Sequence, residues 1–270
     1  MNAEAAPPRV LILNPFGIGD VLFSTPLIRA VRQAFPRSYL AYLCNRRTEG
    51  ILRRNPHVDE LLVYEKDELL ALWRRHWRAG WKALWSLLVT IRRRQFDLAI
   101  DLSLGERYSF ILALIGVPRR IGFDFRGRGR FLTHRFVMEG YESYHVADYY
   151  ARLLHMIGIR TLERRLELVP LAEDVEAAKQ QVAKLGLPSD GPIVGLAPAG
   201  GISWGQQAHF RRWSKERFIQ LGRWLHQRYG VKILVLGEAS DRQICADIAQ
   251  AIGPFAYDLS GQTSLGHFVG

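Results

Sequence analysis

Cysteine is almost absent: Cys44 and Cys245 are the only two in 270 residues. Two distant thiols in apolar surroundings give neither a disulfide framework nor zinc-ligand spacing, so they read as core residues of a reducing compartment. Long apolar runs are also missing. The leucine-rich stretches near Leu69 and from Leu84 to Ile91 are cut short by arginines, and none approaches the ~20 residues that span a bilayer. The start, Met1 to Arg9, lacks the charged opening and apolar stretch of a signal peptide, so a cytoplasmic location is expected. No short-period repeat is visible. Acidic charge is scarce, with 26 Asp plus Glu against 37 Lys plus Arg, a net charge of +11. That surplus implies an anionic partner: a nucleic acid, an anionic membrane face or a phosphorylated substrate. No recognisable nucleic-acid module accompanies it, so nucleic acid is not expected.

What is present is alternation. Short β-branched or leucine-rich runs take turns with longer helical patterns, the signature of a parallel sheet flanked by helices. Strands are predicted at Val10 to Asn14, Tyr39 to Leu43, Leu61 to Tyr64 and Leu98 to Leu102. Helices are predicted at about Asp20 to Phe35, Asp67 to Arg94, Arg107 to Ile115 and Ser143 to Ile157. The charged, aperiodic stretch Arg160 to Pro170 reads as a connection. After a helix from Glu173 to Leu185 the alternation restarts, with strands at Ile193 to Ala197, Lys232 to Leu236 and Ala256 to Leu259. Helices at Lys215 to Tyr229 and Asp241 to Ile252 lie between them. The expectation is an α/β protein of two Rossmann-like domains, residues 1–165 and 166–270, facing across a cleft where a ligand binds. Phe268-Val269-Gly270 falls inside an opening helix, and the second sheet would have an uncovered edge. The second domain therefore reads as incomplete and the chain as truncated.

The first strand runs into Asn14-Pro15-Phe16-Gly17-Ile18-Gly19-Asp20. Gly17 and Gly19, between a strand and a helix, let the backbone approach a ligand. No third glycine completes a dinucleotide fingerprint, and Cys44-Asn45-Arg46 puts no acid after the second strand, which disfavours an oxidoreductase. From spacing alone, Asp20 reads first as a helix N-cap.

Continued by Val21-Leu22 and Ser24-Thr25-Pro26-Leu27, this segment resembles the opening signature of glycosyltransferase family 9, the heptosyltransferases. Further similarities follow in order: Asn55-Pro56-His57-Val58-Asp59, Arg120-Ile121-Gly122-Phe123 with Leu132-Thr133-His134, and His145. Pro198-Ala199-Gly200, Arg211-Arg212-Trp213 and Gly237 to Asp241 then complete the set. The resemblance covers nearly the whole chain. It implies an inverting enzyme of the GT-B type without a catalytic metal, moving a heptose from ADP-heptose to the lipopolysaccharide inner core. Asp20 matches the family's aspartate proposed as general base. Arg211 stands where the family usually has lysine, and keeps the charge that meets the diphosphate leaving group. Gly200, Gly201 and Ser203 would add backbone and hydroxyl donors. Asp241 matches an acidic ribose ligand or, equally, caps a helix. His145 falls on the acceptor side. The family's downstream Asp-Ser/Thr-Gly-x-x-His string is absent, so a catalytically incompetent, membrane-associated binding protein is the alternative, beside a transferase with another sugar donor.

Two basic features complete the reading. Trp73, Trp77, Trp81 and Trp85 recur every fourth residue among Arg74, Arg75, Arg78 and Lys82. On one helix they form a single stripe, which either packs on the sheet or lies in a lipid interface on the inner membrane. Arg126, Arg128 and Arg130, spaced by glycines, read as a flexible loop that holds an anionic glycolipid acceptor or is merely solvated.

Overall fold

The computed structural model describes residues 7–141, 144–187, 191–199 and 212–269, without the side chains of residues 66, 67 and 70. The chain divides into two compact units, Met1–Val169 and Pro170–Gly270.

The first unit is built on six strands: β1 (Arg9–Leu13), β2 (Tyr39–Cys44), β3 (Glu60–Val63), β4 (Leu98–Asp101), β5 (Arg119–Phe125) and β6 (His134–Met138). They pair in the order β3-β2-β1-β4-β5-β6, all parallel. Val10 to Leu13 and Leu40 to Cys44 are buried on both faces of the sheet, as unbroken apolar runs in a helix-covered parallel sheet require. The chain leaves β1 toward β2 and later returns to lay β4 on its other side. The loops after β1 and β4 therefore flank the switch point, where open α/β sheets bind ligands.

The helix predicted over Asp20 to Phe35 is two, α1 (Ile18–Phe23) and α2 (Thr25–Ala34), joined at the fully buried Ser24. Pro26, in the first turn of α2, has no amide to carry one helix through. A short α3 (Arg46–Leu52) follows β2, with Asn45 accepting from the Thr48 amide at 3.1 Å as its cap. The long helix predicted over Asp67 to Arg94 is likewise two, α4 (Lys66–Arg75) and α5 (Trp77–Arg93), folded against one another at His76. The single stripe of four tryptophans is thereby corrected. Trp73 belongs to α4 and turns back over α5, 5.2 Å from the Trp81 ring, where Gly80 makes room for it. A Cβ on Gly80 would fall 1.3 Å from the Trp73 ring. Leu87, Leu88 and Ile91 of α5 face the core beside Tyr64 and Tyr108. α6 (Glu106–Leu114) and α7 (Val146–His155) complete the unit.

β5 and β6 are joined by only eight residues, short for a parallel pair. The return is tight because Gly129 lies on Asp124, its amide donating to Asp124 Oδ1 at 2.8 Å, and Leu132 packs on Gly122. The stretch read as a connection is docked: Arg29 of α2 donates to the carbonyls of Glu163 and Arg165, and the Glu167 amide donates to Thr25 Oγ1 at 2.9 Å.

The second unit carries a parallel sheet β7-β8-β9 (Ile193–Leu196, Lys232–Val235, Ala256–Asp258). Its helices are α8 (Ala172–Lys184), α9 (Lys215–Tyr229), α10 (Arg242–Ile252) and α11 (Leu265–Val269). α9 ends on Gly230 in the left-handed conformation that glycine adopts freely. Ile233, Val235, Cys245 and Ile248 form its core, so Cys245 is a packing residue, as is buried Cys44 in the first unit.

Candidate active site

In a parallel sheet every strand points its carboxyl end to the same edge. In the first unit that edge gathers Asn14 to Asp20 after β1, Leu102 to Gly105 after β4, the arginine turn after β5, and Tyr141, Tyr144 and His145 beyond β6. Two asparagines pin the first of these loops. Buried Asn14 accepts from the Phe16 amide through Oδ1 and donates to the Asp20 carbonyl through Nδ2, both at 3.2 Å. Asn45, beyond β2, donates to the Phe16 carbonyl at 2.7 Å.

Asp20 is not the N-cap of α1. Gly17 holds that position, and Asp20, three residues on, accepts from the Gly17 amide through Oδ2 at 3.1 Å. Its side chain stays exposed. No group lies within 4 Å of where a Gly19 Cβ would be, so bare backbone borders the carboxylate. One oxygen is thus held, and the carboxylate stands at the open rim of the switch point.

Around Asp20 the structure places tyrosines that sequence reasoning missed. Tyr42 is fully buried with its hydroxyl 2.6 Å from Ser24 Oγ. Because Ser24 spends its own proton on the Val21 carbonyl at 2.7 Å, Tyr42 is the donor, and the bond ties β2 to the α1–α2 joint. Burial chiefly, and the Asp20 charge in addition, raise the pKa of Tyr42, Tyr141 and Tyr150 above the ordinary tyrosine value. All three stay protonated donors. Tyr141 and Tyr144 stand edge-on to buried Tyr149, with ring centroids 5.0 and 5.8 Å away, and both are exposed. The Arg152 guanidinium lies 4.1 Å over the Tyr144 ring. The density of tyrosines between 141 and 150 was the signal available in the sequence.

His145 caps α7: its Nδ1 accepts from the Ala147 amide at 3.2 Å, which assigns the proton to Nε2. The ring packs edge-on against Phe23, on the helix that carries Asp20, with centroids 5.5 Å apart. The arginine turn is ordered by stacking. Arg126 and Arg128 lie over Phe125, and Arg130 lies over Phe131 while pairing with Glu106 at 3.0 Å. The flexible loop expected here is therefore a pinned turn, because Gly129 and Asp124 fasten it. Gly17, Gly19, Asp20, Arg126, Arg128, Arg130 and His145 thus share one edge of one sheet. At the switch point itself lies Asp101, whose Oδ1 accepts from the Ser103 amide at 2.9 Å. Burial pushes its carboxyl from 3.8 up to about 6.

In the second unit Asp241 stands beyond the carboxyl end of β8. It is buried, accepts from the Glu238 amide through Oδ2 at 3.2 Å and pairs with Arg212 at 3.4 Å. Gly237 is required here, since a Cβ would come within 2.9 Å of Cys245 Sγ and 3.1 Å of Asp241 Cβ. Gly200, Gly201, Ser203 and Arg211 lie outside the described residues.

The model of glycosyltransferase family 9 (heptosyltransferase) matches residues 84–270. The chain belongs to glycosyltransferase family 9. It is accordingly an α/β glycosyltransferase of the GT-B type. It is 22% identical over 265 residues to lipopolysaccharide heptosyltransferase 2 of Escherichia coli (strain K12), covering 95% of this chain and 72% of that protein. It is 22% identical over 275 residues to lipooligosaccharide heptosyltransferase 2 of Haemophilus ducreyi, covering 97% and 73%. Among solved structures, the family 9 glycosyltransferase from Veillonella parvula superposes with a TM-score of 0.79 at 21% identity, covering 98% of this chain and 73% of that one. The E. coli ADP-heptose lipopolysaccharide heptosyltransferase II gives 0.72 at 21% identity, with 97% and 75% covered. At these identities the superpositions establish the fold of this family 9 chain.

Proposed function

We propose that this chain transfers a heptose from ADP-heptose, with inversion, to the lipopolysaccharide inner core, working on a lipid-anchored acceptor at the cytoplasmic face of the inner membrane. The observation that carries the reading is Asp20: an exposed carboxylate on a glycine-flanked loop at the switch point of a family 9 chain. As general base, Asp20 takes the proton of an acceptor hydroxyl. The hydroxyl oxygen forms the new bond to the anomeric carbon, and the bond from that carbon to the diphosphate breaks. A base placed in this way contributes roughly 10²–10⁴-fold.

The Gly17 amide fixes the direction of the carboxylate, and Tyr141 and His145 Nε2 supply donors beside it for acceptor oxygens. Arg126 and Arg128 add positive charge for an anionic acceptor. On the donor side, Arg211, Ser203 and the amides of Gly200 and Gly201 would meet the charge growing on the departing ADP, with no catalytic metal. Asp241 serves there as an inward strut that orients Arg212, or as the ribose ligand once it is freed. The test is heptose transfer from ADP-heptose to a deacylated, water-soluble inner-core acceptor, read by mass spectrometry, with ADP binding measured by calorimetry. Product and ADP binding support the reading. Transfer from a different nucleotide sugar in preference to ADP-heptose overturns the donor.

A further inference from the structure

The tryptophan face of α5 is not used by the core. α5 turns Leu87, Leu88 and Ile91 toward Tyr64 and Tyr108, and this inner face meets the packing demand of the sheet. Trp73 is taken up as a brace over Gly80. What remains outside is Trp77, Trp81 and Trp85, exposed by 63%, 55% and 68%. Steps of four residues drift by only about 40° each, so the three rings share one face. A large aromatic surface left in water marks a binding surface rather than ordinary exposure.

The charge around those rings identifies the partner. From Leu69 to Phe96 the sequence holds no aspartate or glutamate, while Arg74, Arg75, Arg78, Lys82, Arg92, Arg93 and Arg94 are all cationic. Among the described residues, none of Arg74, Arg75, Arg78 and Lys82 pairs with a carboxylate. Of the acids at the start of α4, Glu68 is taken by Arg46 at 3.3 Å. Tryptophan with unpaired arginine, on a helix whose other face is leucine, is the composition of a segment lying at the headgroup level of an anionic bilayer. No described helix is long and apolar enough to cross a membrane.

The position fits as well. α5 runs back along the sheet and ends where Arg94 bonds Glu60 and Arg9, at the amino edge. Its start therefore lies on the carboxyl-edge side, which carries Asp20, and all three exposed tryptophans fall in its first nine residues. A helix of 17 residues is about 25 Å long, enough to carry its first turn, with Trp77, past the ends of strands four to six residues long.

We propose that the α4–α5 hairpin is a docking surface for anionic phospholipid, with Trp77, Trp81 and Trp85 set into the headgroup region and Arg74, Arg75, Arg78 and Lys82 on the phosphates. This deepens the reading of a membrane-anchored acceptor but requires neither the donor nor catalysis. The test is co-sedimentation of the full chain with phosphatidylethanolamine vesicles, with and without phosphatidylglycerol. The expected result is binding that needs phosphatidylglycerol and weakens with salt. The W77A/W81A/W85A variant should lose it at least tenfold, and each Lys or Arg replaced by Gln should cost about fivefold. Should the tryptophan variant fail to fold, R74Q/R75Q/R78Q/K82Q carries the same test. Equal binding to neutral vesicles, full retention by either variant, or capture of duplex DNA without vesicle binding would overturn the proposal. Turnover on the deacylated acceptor is measured alongside and stays unchanged in these variants. Loss of that turnover in the wild type counts against the transferase reading alone.

Discussion

Replacing Asp101 by Asn should stabilise the first unit, and by an amount that grows with pH. The carboxyl is buried beside the switch point with one amide donor, Ser103, and burial raises it from 3.8 to about 6. The folded chain therefore holds the extra proton between those values. Below 3.8 both states are protonated and there is no penalty; as pH rises through the folded value, the charged form must be kept buried and stability is lost. At 1.36 kcal/mol per pH unit the full penalty is about 3 kcal/mol. Roughly half is present at about pH 5 and nearly all at about pH 7.5, so the gap between D101N and wild type should widen by about 1.4 kcal/mol across that interval. Asn keeps an oxygen for the Ser103 amide, so little else changes. Urea unfolding of both proteins at the two pH values measures the gap. A gap that stays constant, or a wild type that gains on the variant as pH rises, would refute the reasoning.

Gly80→Ala places a methyl inside the Trp73 ring position. It should cost about 1–3 kcal/mol in urea unfolding, and less than additively when combined with Trp73→Ala. His145→Ala removes the α7 cap, worth about 1 kcal/mol, and should raise the acceptor KM; His145→Asn restores stability by capping but leaves the KM high. Tyr141→Ala should raise the acceptor KM with the donor KM unchanged, whereas Tyr141→Phe keeps the ring and separates stacking from the hydroxyl's hydrogen bond.

Legibility in the sequence followed the strength of periodic signals. Lys215–Tyr229 was readable to the residue, since Ser214 opens it and Gly230 closes it in a left-handed turn. β1, β2 and β4 stood out as apolar runs between turns. β6 was not read as a strand, and β5 only as the motif Arg120 to Phe123: Arg119, Arg120, Gly122 and Asp124 interrupt any apolar pattern, and their pairing depends on Gly129 and Leu132 folding back. The break at His76 was illegible because the four-residue spacing of the tryptophans continues across it, with no proline or glycine to mark it. Of the site, the glycine loop and Asp20 were legible through motif order. The Tyr42–Ser24 bond and the tyrosines beside Asp20 arise from tertiary contacts between segments 18 to 130 residues apart, which no local pattern encodes.

The central claim is that Asp20 acts as the base for sugar transfer, and Asp20→Asn tests it most directly. Asparagine still accepts from the Gly17 amide, so fold and ADP binding should persist while kcat falls at least about a hundredfold. Wild-type turnover in that variant would contradict the account.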